Sequence, residues 1–417
     1  YPARESGYVT DSAASATALA TGFKSYNGAI SVDVNKRPLT TIMQMAKARG
    51  MSTGVAVTSQ VNHATPAAFL VHNESRRNYD EIAKAMLQSD ADVILGGGQK
   101  YFPEALLQQF KAKGYQHIDE LAQLEAITQP KVIGLFAEVQ LPWVINDNDA
   151  NTLSRLTQKS LALLSQNEQG FFLMIEGGQI DWAGHINDAG WMLHELLKFD
   201  EAVNAVYEWV KDRNDTLLVV TADHETGGFG FSYSRKNVPR SKTLTGNGMA
   251  GQQYKPNFNF GPLNILDRLH QQEATFYDMM KQVSHDSSFV NTKAKQWYEV
   301  INQYSDFKVT LAQALEISKR EPNEYHQENH RYLSATEFPK VNDFKEFYVY
   351  GDDLHANLIG RALSAEQNVV WGTGTHTASP VPVYVFGPPS ISKQFSTMQH
   401  HTEIAKKMMK ALLGNEK

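Results

Sequence analysis

The stretch Phe171-Phe172-Leu173-Met174-Ile175 is a continuous apolar run bounded by Gly170 and Gly177, and it has the length of a buried strand. Downstream, Met192, Leu196, Phe199, Val203, Val206 and Val210 recur at three and four residues, as one buried stripe on a long helix does. Leu217-Leu218-Val219-Val220 follows as the next unbroken apolar run. Strand, helix, strand with no polar alternation in the strands is the pattern of a parallel sheet covered on both faces.

The same reading extends outward. Towards the N-terminus, Thr40 to Arg49 predicts a helix closed by Gly50, and Gly54 to Thr58 predicts a short buried strand. Asp92 to Leu95 predicts a strand that runs into a tight loop at Gly96 to Gly98, and Thr152 to Leu164 an amphipathic helix. Towards the C-terminus, Leu354 to Leu363 and Thr402 to Leu413 predict helices, and Pro382 to Phe386 a strand. Residues 231 to 350 break the rhythm, being aromatic-rich and polar with few clean apolar runs. The expected fold class is therefore α/β, with a mostly parallel central sheet and helices on both faces. Residues 1–230 and 351–417 would form the core and 231–350 an insertion, whose Phe276, Tyr277, Trp297 and Tyr298 read as core or interface.

Composition narrows the chemistry. The 417 residues carry 39 basic and 45 acidic side chains, a net charge of −6 that argues against a general nucleic-acid-binding surface. No apolar run approaches the roughly 20 residues of a membrane helix. There are no cysteines, so a transition-metal site must draw on His, Asp and Glu.

In an open α/β sheet ligands collect beyond the carboxyl ends of the strands. Phe171 to Ile175 leads into Glu176, Asp181 and His185, and Leu217 to Val220 into Asp223 and His224. Gly54 to Thr58 leads into His63, Thr65 and Arg76, and Trp371-Gly372 through a Gly/Thr loop into His376. Singly, each reads as a cap, an exposed pair or a hydrogen-bonded loop residue. Together, imidazoles and carboxylates converging from several strand ends suit zinc and magnesium. Asp11-Ser12 opens an Ala/Ser/Thr-rich run ended by Gly22, which would set Ser12 at a helix N-terminus favourable to an anion. The bland alternative makes Asp11 or Ser12 no more than an N-cap. Two further patterns carry little. Gly246-x-Gly248-x-x-Gly251 lacks the flanking strand and helix of a dinucleotide site, and His400-His401 reads as a solvated pair near the chain end.

The segment Val9-Thr10-Asp11-Ser12-Ala13-Ala14-Ser15-Ala16-Thr17 resembles the nucleophile signature of the alkaline phosphatases. Glu176 with Asp181 and His185, then Asp223-His224, then His376 in Gly-Thr-Gly-Thr-His, resemble that family's metal-ligand segments in the same chain order. His63-Ala64-Thr65-Pro66 and Arg76 are similar to its magnesium- and phosphate-binding segment. The resemblance implies a phosphomonoesterase in which Ser12 is phosphorylated and Arg76 clamps the phosphate. It implies a first zinc on Asp181, His185 and His376, a second on Asp223 and His224, and a magnesium on Glu176 and Thr65. Asp11, His63 and Trp182 would lie just outside these ligands. His63 and Trp182 stand where the best-known bacterial pattern has Asp and Lys, as in marine-bacterial and animal members. The insertion matches the subset with a large, crown-like extra loop, which implies a homodimer, and the family implies a periplasmic or secreted protein. The family's first strand, ending in a metal-bridging Asp, has no counterpart after Tyr1-Pro2, so a segment upstream is expected. Rival readings are a phosphodiesterase or sulfatase of the same superfamily, or a catalytically dead phosphate- and metal-binding relative.

Overall fold

The structure, a computed structural model, describes residues 3, 6–147, 151–283 and 290–414. The chain divides into two compact units. The first comprises Tyr1–Gln179, Glu195–Glu225 and His376–Lys417, and the second Ile180–His194 and Thr226–Thr375.

In chain order, the elements up to the second apolar run are α1 (Ser12–Thr21), α2 (Ile42–Ala48), β1 (Ser52–Gln60), α3 (Ala64–Leu70), α4 (Tyr79–Ser89), β2 (Val93–Gly97) and α5 (Glu104–Ala112). Then come β3 (Gln116–Ile118), β4 (Val132–Leu135), α6 (Thr152–Leu164), β5 (Phe171–Glu176), α7 (Gln179–His185), α8 (Ala189–Val210) and β6 (Leu218–Thr221). Five strands form one sheet in the order β3-β4-β2-β1-β5, and every pairing is parallel. The expected parallel sheet is there.

Its two faces sort by strand alternation. Val55, Val57, Ile94, Ile133 and Met174 pack with α1 to α5 and the C-terminal helix His401–Leu413. Ala56, Val93, Leu95 and Val132 point the other way, against Leu156, Leu163 and Leu164 of α6. All nine residues of β1 are buried, whereas β5 and β6 are mostly half-buried. The strand Val383–Phe386 pairs with β6 antiparallel.

Three details depart from the sequence reading. The second apolar run, β6, stands outside the five-stranded sheet and pairs antiparallel with Val383–Phe386 instead of extending the parallel pairing of β5. Gly96 and Gly97 remain in β2 instead of turning out of it, and position 97 requires glycine because a Cβ there would lie 2.0 Å from the Val139 carbonyl oxygen. The turn falls at Gly98, with φ +114°. On α8 the stripe is uneven. Val206 and Val210 are buried near Phe171, Leu173 and Leu218, while Leu196 is 49% exposed.

The second unit is built of helices, including Phe276–Lys281, Val290–Tyr304 and Leu354–Gln367, and of two-stranded pairings. Phe276 and Trp297 are buried and Tyr298 is exposed, so these aromatics divide between interior and surface. The Asp188 carboxylate organises the start of α8. It accepts from Trp191 N–H (3.0 Å), Phe276 N–H (2.8 Å) and Gln272 Nε2 (2.7 Å).

Candidate functional site

Helix α1 is buried along all ten residues, which small side chains allow. The Asp11 carboxylate caps it, accepting from Ala14 N–H at 2.9 Å, and Gly22 closes it at φ 77°. Asp11 is thus the N-cap, and Ser12 takes the first helical position at 5% exposure. A hydroxyl there sits in the positive field of the helix terminus.

The cap does more than end a helix. Its other carboxylate oxygen accepts from Arg76 Nη1 at 3.1 Å, and Gly28 N–H also reaches Asp11, at 3.1 Å. Arg76 Nη2 donates to His63 Nε2 at 3.2 Å. A guanidinium can only donate, so that nitrogen of His63 accepts. Asp11 therefore ties Arg76 to the end of the helix that carries Ser12.

On the opposite side of Ser12, its Oγ lies 3.0 Å from His224 Nε2. The same nitrogen is 3.1 Å from Asp223 Oδ2. The His224 and His376 rings stack with centroids 3.5 Å apart. His376 Nδ1 donates to the Thr10 carbonyl at 2.9 Å, so the lone pair of a neutral ring would lie on Nε2.

Ser15, one turn after Ser12, donates from Oγ to the Asp223 carbonyl at 2.7 Å and lies 2.8 Å from His401 Nδ1. This corrects the reading of His400-His401 as a solvated pair. His400 caps the C-terminal helix, its ring accepting from Thr402 N–H, and His401 turns inward. Burial pulls the His401 imidazole down to about 4, so it is neutral at ordinary pH.

Glu176 ends β5 opposite Val57 of β1 and accepts from Ser59 Oγ at 3.2 Å. His63 and Thr65 follow the carboxyl end of β1, with His63 as the N-cap residue of α3 and Thr65 half-buried in its first turn. In the second unit α7 carries Asp181, Trp182 and His185, all half-buried. Asp181 Oδ2 lies 3.5 Å from His185 Nε2, one helical turn along, and Thr226 Oγ1 donates to the other carboxylate oxygen. His185 Nδ1 donates to the Gly374 carbonyl at 2.8 Å, so the lone pair of a neutral ring would lie on Nε2.

Two imidazoles anchored through Nδ1 on backbone carbonyls, each beside carboxylates or another imidazole, have the donor chemistry of zinc ligands. The residues fit such an ion.

Comparison with known proteins is consistent with this chemistry. The family model described as "Alkaline phosphatase" matches residues 1–413. Alkaline phosphatase 4 of Bacillus subtilis is 32% identical over 414 residues, covering 97% of this chain and 77% of that one. The crystal structure of a cold-active alkaline phosphatase from a psychrophilic Shewanella sp. superposes with a TM-score of 0.76 at 49% identity, covering 99% of this chain and 88% of that one. Thermus thermophilus alkaline phosphatase gives a TM-score of 0.77 at 27% identity, covering 98% of this chain and 81% of that one. This chain belongs to the alkaline phosphatase family and is a phosphomonoester hydrolase.

Proposed function

We propose that the chain hydrolyses phosphate monoesters through a phosphoserine on Ser12. The observation that carries this reading is the double use of Asp11, which caps the helix bearing Ser12 and holds Arg76 at 3.1 Å. Nucleophile and phosphate clamp then share one frame, and positioning of this kind supplies much of the acceleration in phosphoryl transfer.

The Ser12 Oγ–P bond forms as the ester O–P bond breaks, and the hydroxyl proton that Ser12 gives up balances the one the leaving alkoxide takes up. Water then attacks the phosphoserine phosphorus, restoring Ser12 and releasing inorganic phosphate. Arg76 presents parallel N–H groups to two non-bridging phosphoryl oxygens, with Asp11 and His63 fixing its orientation. The N-terminus of α1 adds positive potential at the same place.

Two zinc ions and one magnesium complete this reading. Asp181, His185 and His376 would hold the first zinc, Asp223 and His224 the second, and Glu176 with Thr65 the magnesium. These assignments rest on the chain order of the motifs and on the imidazole anchoring above. When bound, such cations supply Lewis-acid charge for the phosphoryl oxygens and favour deprotonation of a nearby hydroxyl. Trp182 would lie beside the first zinc's ligands. Residues 231–350 are a crown-like insertion in the sequence of a core made of 1–230 and 351–417, and the protein works in the periplasm or outside the cell. No helix among the described residues is long and apolar enough to cross a membrane.

Hydrolysis rates for an aryl phosphate monoester, the matching diester and the matching sulfate test the assignment. The monoester should be preferred by at least about tenfold over either, a transition-state difference of about 1.4 kcal/mol. A faster diester or sulfate would overturn it.

A further inference from the structure

Ser15 and His401 belong to no ligand set above, yet they form a directed hydrogen-bond chain that ends on the backbone of one. The Asp223 carbonyl can only accept, so at 2.7 Å the single Ser15 hydroxyl proton must point to it. Ser15 Oγ must then accept from His401 Nδ1 at 2.8 Å. The imidazole is therefore the Nδ1–H tautomer, and the order is His401 Nδ1–H to Ser15 Oγ–H to the Asp223 carbonyl.

The chain has a geometric consequence. Ser12 and Ser15 lie three residues apart, on one face of α1. Helix α1 thus grips the Asp223-His224 dipeptide twice, with Ser12 Oγ 3.0 Å from His224 Nε2 and Ser15 Oγ 2.7 Å from the Asp223 carbonyl. Ser15 is 4% exposed, so no bulk solvent can replace a lost partner. The C-terminal helix supplies the far end. Its capping box between His400 and Glu403 fixes the turn that aims His401 at Ser15.

We infer that Ser15 and His401 are positioning residues, which hold Asp223 and His224 at a set distance from Ser12 and so set how firmly that pair retains its metal ion. The inference rests on the proposed function above for the identity of that ion and of the nucleophile. His401→Asn keeps a donor near the Nδ1 position, whereas His401→Ala removes it.

Three readouts on the metal-loaded protein test it. The side-chain 15N shifts of His401 should report the Nδ1–H tautomer in the native protein, and Ser15→Ala should abolish that signature. His401→Ala should release zinc to a chelator about 10–100-fold faster and lower kcat by a similar factor at nearly constant KM, the usual cost of losing an outer partner of a metal ligand. His401→Asn should recover both to within about threefold on the same scale. An Nε2–H tautomer, native zinc retention in His401→Ala, or equal damage from His401→Ala and His401→Asn would each overturn the inference. Should His401→Ala fail to fold, Ser15→Ala, a smaller change, must show the faster zinc release instead, and native release from it is contrary. Absence of phosphatase turnover in the native protein would sink the proposed function, while tautomer and zinc release would still decide the role of the chain.

Discussion

Arg76 makes two hydrogen bonds that orient its fork, one to Asp11 and one to His63 Nε2. Arg76→Ala should weaken phosphate binding more than chemistry. Losing a bidentate, charge-assisted contact of about 1.5–3 kcal/mol implies a rise of roughly 10–100-fold in the inhibition constant for inorganic phosphate. Inhibition assays with phosphate as the variable check this, and unchanged inhibition would remove Arg76 from the clamp. At this scale the sequence was most legible where a motif fixes several residues together, as with Asp11 and Ser12 or Asp223 and His224. It was least legible for Ser15 and His401. A paired histidine near the chain end has no ligand spacing, and its burial arises from how the C-terminal helix is capped and packed on α1. The anchors of His185 and His376 are backbone carbonyls, which no residue pattern announces.

At the scale of elements, α6 matches its predicted span, Thr152–Leu164, because its apolar spacing faces a single layer of the sheet. The end of β2 was misread because glycine signals a turn locally, while at Gly97 it answers a neighbour brought close by the fold. The start of α8 carries a second hidden feature, the fully buried Asp188. Burial pushes its carboxyl up to about 6, and the hydrogen bonds from Trp191, Phe276, Gln272 and Gly190 offset only part of that. In the unfolded chain it ionises near 3.8, so between about pH 4 and 6 the folded state holds more protons than the unfolded one. Its contribution to stability is present below that window and is lost as pH rises through it. Against an Asp188→Asn variant, the native protein should therefore lose relative Tm from pH 4 to 6. A flat difference across that range would show that Asp188 titrates as it does in the unfolded chain.

For the whole molecule, the sequence reading placed a parallel sheet, and the structure has five strands in one parallel sheet. The short strand pairings of the second unit were not legible, since two- and three-residue strands leave no periodicity. Tyr233 packs against Phe258 and Phe260 at ring distances of 5.4 and 5.2 Å, yet all three rings are exposed. Clustered apolar surface of that kind suits a protein interface, and on the proposal that this face joins two copies of the chain the protein should sediment as a dimer, with a stable active monomer the contrary result. In the proposed mechanism Ser12 carries the phosphoryl group between the two bond-breaking steps. Acid-quenched enzyme turning over an aryl phosphate, digested and sequenced by mass spectrometry, tests it most directly. Phosphate should appear on Ser12 in the native protein and not in Ser12→Ala, which should also lose turnover. Turnover that persists in Ser12→Ala, or a phosphoryl group found on another residue, would contradict it.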